Sequence, residues 1–142
     1  MIMPTKDLVE LTENCVRSIL SKTDCENYEI IIVNNNSQQK ETHTFFDEIQ
    51  RESSRVSVIN YNKAFNYSAI NNQADKIAKG SVIGVINNDI ETFNNGLLTE
   101  MLAHAIRPDI GCVGAKMYYP DNTIEHAGVI LGFEGVARHS HK

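Results

Sequence analysis

The chain has 142 residues, of which 42% are hydrophobic and 22% charged, as expected for one globular domain with a real core. Its formal net charge of -5 argues against a general nucleic-acid binder, which normally presents a basic face. No apolar run approaches the roughly 20 residues of a membrane-spanning helix, and Met1 opens no signal-peptide pattern. Cys15, Cys25 and Cys112 show no CxxC spacing, which disfavours a zinc site or disulfide framework and favours a reducing cytoplasm.

Hydrophobic periodicity predicts strands and helices in alternation. Asp7 is a candidate N-cap of the first helix, and Gly80 is expected to close the third. Residues 120–122 (Pro-Asp-Asn) give a strong turn signal, and residues 132–142 show no clear period. The predicted elements are strand 1–4, a helix from 7 to about 21–24, strand 28–33, helix 39–52, strand 56–59, helix 66–78, strand 81–86 leading into 87–91, helix 96–106, and paired strands 110–118 and 123–131.

Three of these elements carry predictions about burial. The run from Ser81 to Ile86 is apolar on both faces, which is typical of a strand in the middle of a parallel sheet. The helices around residues 70 and 100 each show one apolar stripe expected to face a core. Their predicted buried residues are Tyr67, Ile70, Ala74, Ile77 and Ala78 in the first, and Leu97, Leu98, Met101, Leu102 and Ala105 in the second.

Strands that alternate with helices predict an α/β fold, here as a single domain over residues 1–142. In open α/β sheets the ligand crevice lies beyond the carboxyl ends of the strands. Amides there suit a base or ribose, and the carboxylate of Asp89 suits a Mg²⁺ or Mn²⁺ ion that holds a diphosphate. The polar residues expected at this edge are Thr5, Lys6 and Asp7, Asn34–Ser37, Asn60, Asn66 and Asn72, and Asn87–Asp89.

Other interpretations of these residues are purely structural. Without a family pattern, Asn34–Asn36 are more often turn formers than ligands. Phe65 and Tyr67 are interpreted as core residues, Lys63 as surface charge and His126 as a structural histidine. No GxGxxG, GxxxxGK[ST] or GxSxG motif occurs, so dinucleotide, P-loop and hydrolase-elbow chemistry have no positive support.

Six short segments occur in a specific order along the chain. They are Pro4–Asp7, Tyr28–Ser37, Phe65–Asn72, Ile86–Asp89, Gly114–Asp121 and His126–Val129. Together they closely resemble inverting family 2 glycosyltransferases with the GT-A fold, and most of all the bacterial rhamnosyltransferase-like branch that builds cell-surface polysaccharides. The resemblance implies a Rossmann-like nucleotide-diphospho-sugar transferase fold, a three-layer α/β/α sandwich with a mostly parallel sheet that is incomplete at the C-terminus.

The resemblance also assigns site residues. Asn34 matches a position where the family usually has a base-binding Asp, and an amide there keeps an acceptor and adds a donor. Residues 87–89 (Asn-Asn-Asp) match the family's DxD-type motif, in which the last Asp binds the metal, so Asp89 is the implied ligand of Mn²⁺ or Mg²⁺. The implied nucleotide-binding residues are Thr5, Asn34, Asn36, Asn72, Asn87 and Asn88.

The implied activity is transfer of a sugar, with inversion, from a nucleoside-diphosphate sugar to a polysaccharide, glycan or lipid-linked acceptor. Such an enzyme is expected in the cytoplasm, with peripheral association at the inner face of the plasma membrane. An inverting enzyme needs a general base to deprotonate the acceptor hydroxyl. Asp109, Asp121 and Glu125 are candidates by residue type only, and Asp121 is better explained as a turn residue.

In the family, the base lies beyond the region that this chain matches, which leads us to expect a fragment of a longer protein that is not active alone. The alternative is a non-catalytic nucleotide-binding or interaction module. A nucleotidyltransferase on a related fold would need a glycine-rich basic loop near the first strand, which residues 4–7 do not provide. An incomplete sheet would also leave an open edge, and we expect dimerisation through the C-terminal half.

Overall fold

The computed structural model describes residues 1–131 and 137–139, without the side chains of Leu131 and of 137–139. The chain divides into two compact units, Met1–Thr99 and Glu100–Lys142, and the single-domain interpretation stays a prediction. The described elements are β1 (Ile2–Thr5), α1 (Val9–Lys22), β2 (Ile30–Asn34), α2 (Lys40–Glu52), β3 (Val56–Asn60), α3 (Tyr67–Asp75), α4 (Leu97–Ala105), β4 (Met117–Tyr118), β5 (Ile124–His126), β6 (Val129–Leu131) and β7 (Ala137–His139).

The first unit is built on a parallel sheet of three strands in the order β1-β2-β3. The central strand pairs on both sides, with Ile31 opposite Ile2 and Ser57 and with Asn34 opposite Thr5 and Asn60. All five residues of β2 are buried. A strand with two paired edges and two covered faces has a continuous apolar sequence, as residues 30–33 of β2 do.

Alternate residues of the strands pack against helices on opposite sides of the sheet. Met3, Ile30 and Ile32 form one buried cluster with residues of α1 and α2. Ile2 and Ile31 belong to a second buried cluster that includes two residues of α3. Successive side chains of a strand point to opposite faces, so the two clusters form the two interfaces of a three-layer α/β/α sandwich. The predicted fold class is confirmed for this unit.

The predicted buried strand at residues 81–86 does not form as a full strand. Val85 makes one isolated parallel bridge with Ile2, in which the Ile2 amide donates to the Gly84 carbonyl at 2.7 Å and the Ile86 amide donates to the Ile2 carbonyl at 3.0 Å. The prediction of burial on both faces was wrong, since Ile83 and Val85 are 39% and 47% exposed.

The isolated bridge still places the segment Gly84–Ile86 beside β1, on the side opposite β2. The chain therefore runs outward from β1 in one direction through β2 and β3 and then returns to the other side. This reversal is the topological switch point at which open α/β sheets bind ligands.

Two predicted helix ends differ from those observed. Asp7 is not the N-cap of α1, because Leu8 takes that place and both residues have a left-handed φ of 52°. The prediction failed because the Asp7 carboxylate is bound to the loop after β2, as described below. At α3, the Asn66 side chain caps the first turn, whereas the helix ends at Asp75, well before Gly80.

The apolar stripes of α3 and α4 are only partly buried. Ile70 and Ala74 are buried as predicted, but Tyr67 and Ile77 are 45% and 50% exposed and Ala78 is half-buried. Ile77 and Ala78 lie beyond the last turn of α3, so they do not continue its stripe. The predicted stripe residues of α4 are half-buried, and none of them is fully buried.

The second unit contains the predicted pairing across the Pro-Asp-Asn turn. β4 and β5 form an antiparallel pair, and Asn122 adopts a φ of 67° in the turn. The predicted strand 123–131 is interrupted at Gly128, where a φ of 124° separates β5 from β6. β6 pairs with Ala137–His139, a strand that the sequence pattern did not predict, and the remainder of 132–142 lies outside the described residues. Within the described part, no helix has the length and apolar character needed to cross a bilayer.

Candidate functional site

A cleft of about 430 Å³ lies at the carboxyl edge of the sheet in the first unit. The ends of β1 and of the Gly84–Ile86 segment contribute to it, and so do the loops after β1, β2 and β3. Its volume falls within the range of small-molecule sites in proteins, roughly 300–1,000 Å³. The lining residues are Pro4, Thr5, Lys6, Leu8, Asn35, Asn36, Lys63, Ala64, Phe65, Tyr67, Asn87 and Asn88.

A larger groove of about 660 Å³ runs along the outside of α1, past the end of α2. Its most prominent polar group, the Arg17 guanidinium, is already paired with Glu13 at 2.7 Å and with Glu52 at 2.8 Å. These pairs are exposed, and the groove includes no strand end. We therefore take the smaller cleft as the candidate site.

The asparagine amides at and just after the end of β2 bind the end of β3 and the loop that follows it. Asn34 is 4% exposed, accepts from the Ser37 amide at 2.9 Å and donates to Asn60 Oδ1 at 2.9 Å. Asn35, which the sequence did not single out by itself, donates Nδ2 to the Tyr61 and Lys63 carbonyls at 3.0 and 2.9 Å. Asn34 does not line the cleft, whereas Asn35 does.

Asn36 is the second predicted residue in this loop. It has a left-handed φ of 59°, a conformation that asparagine adopts more readily than most residues. Its Nδ2 donates to the Lys63 carbonyl at 3.0 Å, and it lines the cleft. The Lys63 carbonyl thus accepts from both Asn35 and Asn36, and together with the Tyr61 carbonyl it binds the loop after β3 to the loop after β2.

Asp7 connects the loop after β1 to the start of α2. Its Oδ1 accepts from the backbone amides of Gln38 and Gln39 at 2.8 and 2.9 Å, and its own amide donates to Ser37 Oγ at 2.9 Å. The hydrogen bond from Gln39 is the main cause that lowers the pKa of the Asp7 carboxyl. This arrangement holds the wall that contains Lys6 and Leu8 against the wall that contains Asn36.

Thr5 and Asn88 meet at the floor of the cleft. The amide nitrogen of Asn88 donates to Thr5 Oγ1 at 3.1 Å and to Thr12 Oγ1 at 3.2 Å. The two hydroxyl oxygens are 2.9 Å apart. The predicted residues Thr5 and Asn88 are therefore brought together by a third residue, Thr12 of α1, which no sequence pattern singled out.

Besides Asn34, two predicted site residues lie outside the cleft lining. Asn72 is exposed on α3, and Asp89 is exposed in the turn that follows Asn88. Asn87 does line the cleft, and its backbone carbonyl accepts from the Cys15 thiol at 3.6 Å. Among the described residues, no group of three or more His, Cys, Asp and Glu side chains is arranged to hold a metal ion. The metal role of Asp89 stays a prediction.

The acidic candidates for a general base all belong to the second unit. Asp109 is paired with Arg107 at 2.8 Å, and this hydrogen bond lowers its pKa. Asp121 accepts from the amide and hydroxyl of Thr123, which lowers its pKa and confirms its interpretation as a turn residue. Glu125 is half-buried in β5.

Sequence reasoning expected Lys6 at this edge but missed Lys63 and the aromatic residues of the cleft. Lys6 and Lys63 both line it, although Lys63 was interpreted as surface charge. Phe65 and Tyr67 were interpreted as core residues but are 71% and 45% exposed. The signal that could have found them is their position, since the loop after β3 opens at the same sheet edge as the other strand ends.

Comparisons with known proteins bear on the family and the fold of this chain. The model of the glycosyl transferase family 2 matches residues 1–133. The mannosyltransferase PcManGT from Pyrobaculum calidifontis, solved with GDP-Man and Mn²⁺, aligns over 80% of this chain and 34% of its own with a TM-score of 0.70 at 17% identity. TarS residues 1–349 of S. aureus align over 82% of this chain and 38% of their own with a TM-score of 0.62 at 17% identity. These structures share the fold.

Two curated relatives match nearly the whole chain. The protein y4gI of Sinorhizobium fredii is 43% identical over 141 residues, which are 99% of this chain and 16% of that protein. The O-antigen biosynthesis protein RfbC of Myxococcus xanthus is 37% identical over 139 residues, 98% of this chain and 11% of that protein. The chain thus spans less than a fifth of the length of either relative. From the family match over residues 1–133, we conclude that this chain belongs to glycosyl transferase family 2.

Proposed function

We propose that the cleft binds a nucleoside-diphosphate sugar and that the chain is the donor-binding part of an inverting glycosyltransferase of polysaccharide synthesis. The observation that carries the proposal is a cleft at the switch point of the sheet that combines amides, two lysines and two exposed aromatic rings. The relative named for O-antigen biosynthesis supports a glycan or lipid-linked acceptor.

Each chemical part of such a donor has a matching group in the cleft. The exposed ring of Phe65 offers a stacking surface for a base. Lys6 and Lys63 are point charges suited to a diphosphate. Asn36, Asn87 and Asn88 offer amide groups to ribose or sugar hydroxyls. Lys6 and Lys63 place positive charge in the cleft of a chain whose net charge is -5, and this local charge favours an anionic ligand.

In the proposed reaction the acceptor oxygen attacks the anomeric carbon and forms the new glycosidic bond. The bond from that carbon to the diphosphate breaks, the nucleoside diphosphate leaves with the electron pair, and a base takes the acceptor proton. Of the acidic residues considered as that base, Asp109 and Asp121 are already engaged by their own neighbours. We infer that a residue outside this chain supplies the base in the longer protein.

A divalent cation would be held through Asp89. No hydrogen bond or ion pair of its carboxylate is found within residues 1–131 and 137–139, so the group is available as an oxygen ligand. Mg²⁺ in particular often takes only one or two carboxylates and completes its shell with water and substrate phosphates, so a single carboxylate fits this mode. When bound, the cation would offset negative charge that develops on the departing diphosphate.

The proposal is tested by calorimetry of this chain with UDP, dTDP and GDP, each with and without Mn²⁺. We expect one of the three to bind, more tightly with Mn²⁺. Phe65→Ala should weaken that binding by roughly tenfold, because base–aromatic stacking contributes about 1–3 kcal/mol. Phe93→Ala is the matched control, since Phe93 is 69% exposed and lies outside the cleft lining. No binding of any nucleotide by the folded chain would refute the assignment.

The metal role is tested in the longer protein that carries this segment. Asp89→Ala should abolish metal-assisted turnover, because no other carboxylate is present in residues 87–89. Glu91→Ala is the control, since Glu91 is an exposed carboxylate two residues away that lies outside the Asn-Asn-Asp segment 87–89. Near-normal turnover by the Asp89→Ala protein would show that Asp89 holds no required metal.

A second candidate is a non-catalytic nucleotide-binding or interaction module. It is favoured by the engagement of Asp109 and Asp121 and by the amide at Asn87, where a DxD-type motif begins with a carboxylate. Both candidates predict nucleotide binding. They differ in turnover of the longer protein, where measurable sugar transfer or donor hydrolysis would exclude the module.

A further inference from the structure

We propose that Thr12 is a positioning residue that fixes the amide of Asn88, so that Asn88 presents its carbonyl oxygen as a hydrogen-bond acceptor in the cleft. Thr12 lies on α1, is fully buried and does not itself line the cleft. Its hydroxyl contacts both Thr5 and Asn88, which do. The role in ligand binding rests on the proposed function, whereas the positioning does not.

Three polar atoms lie within hydrogen-bond distance of one another. Asn88 Nδ2 is 3.1 Å from Thr5 Oγ1 and 3.2 Å from Thr12 Oγ1, and the two hydroxyl oxygens are 2.9 Å apart. Two further acceptors are near, the Asp7 carbonyl at 3.5 Å from Thr5 Oγ1 and the Leu8 carbonyl at 3.4 Å from Thr12 Oγ1.

A count of protons decides the orientation of the amide. A side-chain amide nitrogen carries two protons and each hydroxyl carries one. With the nitrogen toward the threonines, its two N–H groups serve both hydroxyl oxygens. One hydroxyl proton then fills the 2.9 Å contact between the hydroxyls, and the other reaches the Asp7 or Leu8 carbonyl. Each of the three contacts among Asn88 Nδ2, Thr5 Oγ1 and Thr12 Oγ1 then contains one proton.

The opposite orientation leaves one contact without a proton. With the amide oxygen toward the threonines, only the two hydroxyl protons are available for three oxygen–oxygen contacts. Two oxygens would then face each other at 2.9–3.2 Å with nothing between them. A contact of this kind carries the full cost of an unsatisfied polar group. The network therefore selects the orientation in which nitrogen faces inward.

This orientation determines what Asn88 can recognise. Both protons of its amide nitrogen are used inside the protein, so the carbonyl oxygen is the polar atom left for a ligand. An acceptor at this place suits a hydroxyl of ribose or of the transferred sugar, or a cation. It does not suit another acceptor, such as a phosphate oxygen. Asn88 is thus a hydroxyl-selecting or cation-selecting residue in the cleft, and Thr12 makes it so.

The test compares three variants of this chain. Thr12→Val removes the hydroxyl with little change in shape, Thr12→Ser keeps it, and Thr42→Val is the matched control. Thr42 is a fully buried threonine on α2 whose hydroxyl has no hydrogen-bond partner among the described residues. Two quantities are measured: the solvent exchange of the two Asn88 side-chain N–H resonances by NMR, and the Kd of the nucleotide that the wild type binds. Asn88→Asp, which lacks that pair of resonances, assigns them.

We expect Thr12→Val to speed the exchange of at least one Asn88 side-chain proton and to raise the Kd by roughly five- to tenfold, the size of one lost hydrogen bond. Thr12→Ser should restore both values, and Thr42→Val should change neither. If Thr12→Val kept the wild-type exchange rate and the wild-type Kd, the role of Thr12 would be packing alone. Faster exchange in Thr12→Val with no nucleotide bound by any variant would uphold the positioning role and refute the proposed function.

Discussion

Residues 30–33 and 82–86 look alike as sequence, since both are short, apolar and rich in isoleucine and valine, although the second run includes Gly84. Their structures differ. All of the first run is buried in β2, whereas Ile83 and Val85 of the second are 39% and 47% exposed. The difference lies in their neighbours, because β2 has a strand on each side while the second run has one bridge, to Ile2 of β1. Of these two apolar runs, the one with both edges paired and both faces covered is the buried strand.

The largest expected difference between the two runs is in stability. Ile31→Ala should lower the free energy of unfolding by about 2–5 kcal/mol, the range for deleting a fully buried isoleucine side chain. The same substitution at the exposed Ile83 should cost less than about 1 kcal/mol. Urea denaturation of both variants measures this. Equal losses would mean that residues 82–86 are as tightly packed in solution as β2, and the comparison would fail.

A smaller difference is expected between the asparagines that follow the two runs. Asn34→Ala removes hydrogen bonds to Ser37 and Asn60 and should cost about 1–3 kcal/mol of unfolding free energy. Asn87→Ala replaces an exposed side chain and should change that free energy by less than about 0.5 kcal/mol. The same denaturation experiment applies. A loss at Asn87 as large as that at Asn34 would indicate structural contacts beyond those described.

The third difference concerns local opening and can be followed at Cys15. This thiol is 1% exposed and lies against the Asn87 carbonyl. Burial is the main cause that raises its pKa to about 11, so little thiolate exists at pH 8 in the closed protein. Opening of residues 82–91 would expose the thiol, lower its pKa towards the ordinary value and increase its alkylation.

We therefore expect Cys15 to react more slowly than the exposed Cys112, but through an opening that requires less free energy than global unfolding. Mass spectrometry of iodoacetamide labelling at increasing urea gives the free energy of the local opening and that of global unfolding. Labelling of Cys15 only through global unfolding would show that the weakly paired segment is as firmly held as the sheet.

Much of the fold could be predicted because its signals are local. The alternation of β-branched runs with three- and four-residue spacings located β1, β2, β3 and the first three helices to within a few residues, although the third ended earlier than predicted. Burial of the later elements could not be predicted in the same way. Ile83, Val85 and the stripe of α4 look like core residues, but burial depends on what packs against a face, and a periodic pattern does not carry that information.

For the candidate site, too, the sequence predicted positions along the chain but not hydrogen-bond partners. Position after a strand correctly gathered Thr5, Asn36, Asn87 and Asn88 at one cleft. It did not distinguish Asn34, whose side-chain amide is hydrogen-bonded to Asn60 at the end of β3, from Asn35, which lines the cleft. Those assignments depend on partners in another loop.

The sequence alone determined which residues reach the carboxyl edge of the sheet, because strand and helix periods are set by near neighbours in the chain. The tertiary structure decided which polar atoms remain free there. Asp7 binds the start of α2 rather than its own helix, and Asn88 turns its nitrogen toward Thr5, a residue 83 positions away along the chain. A hydrogen bond over that separation requires the sheet to be assembled first, so no local sequence pattern predicts it.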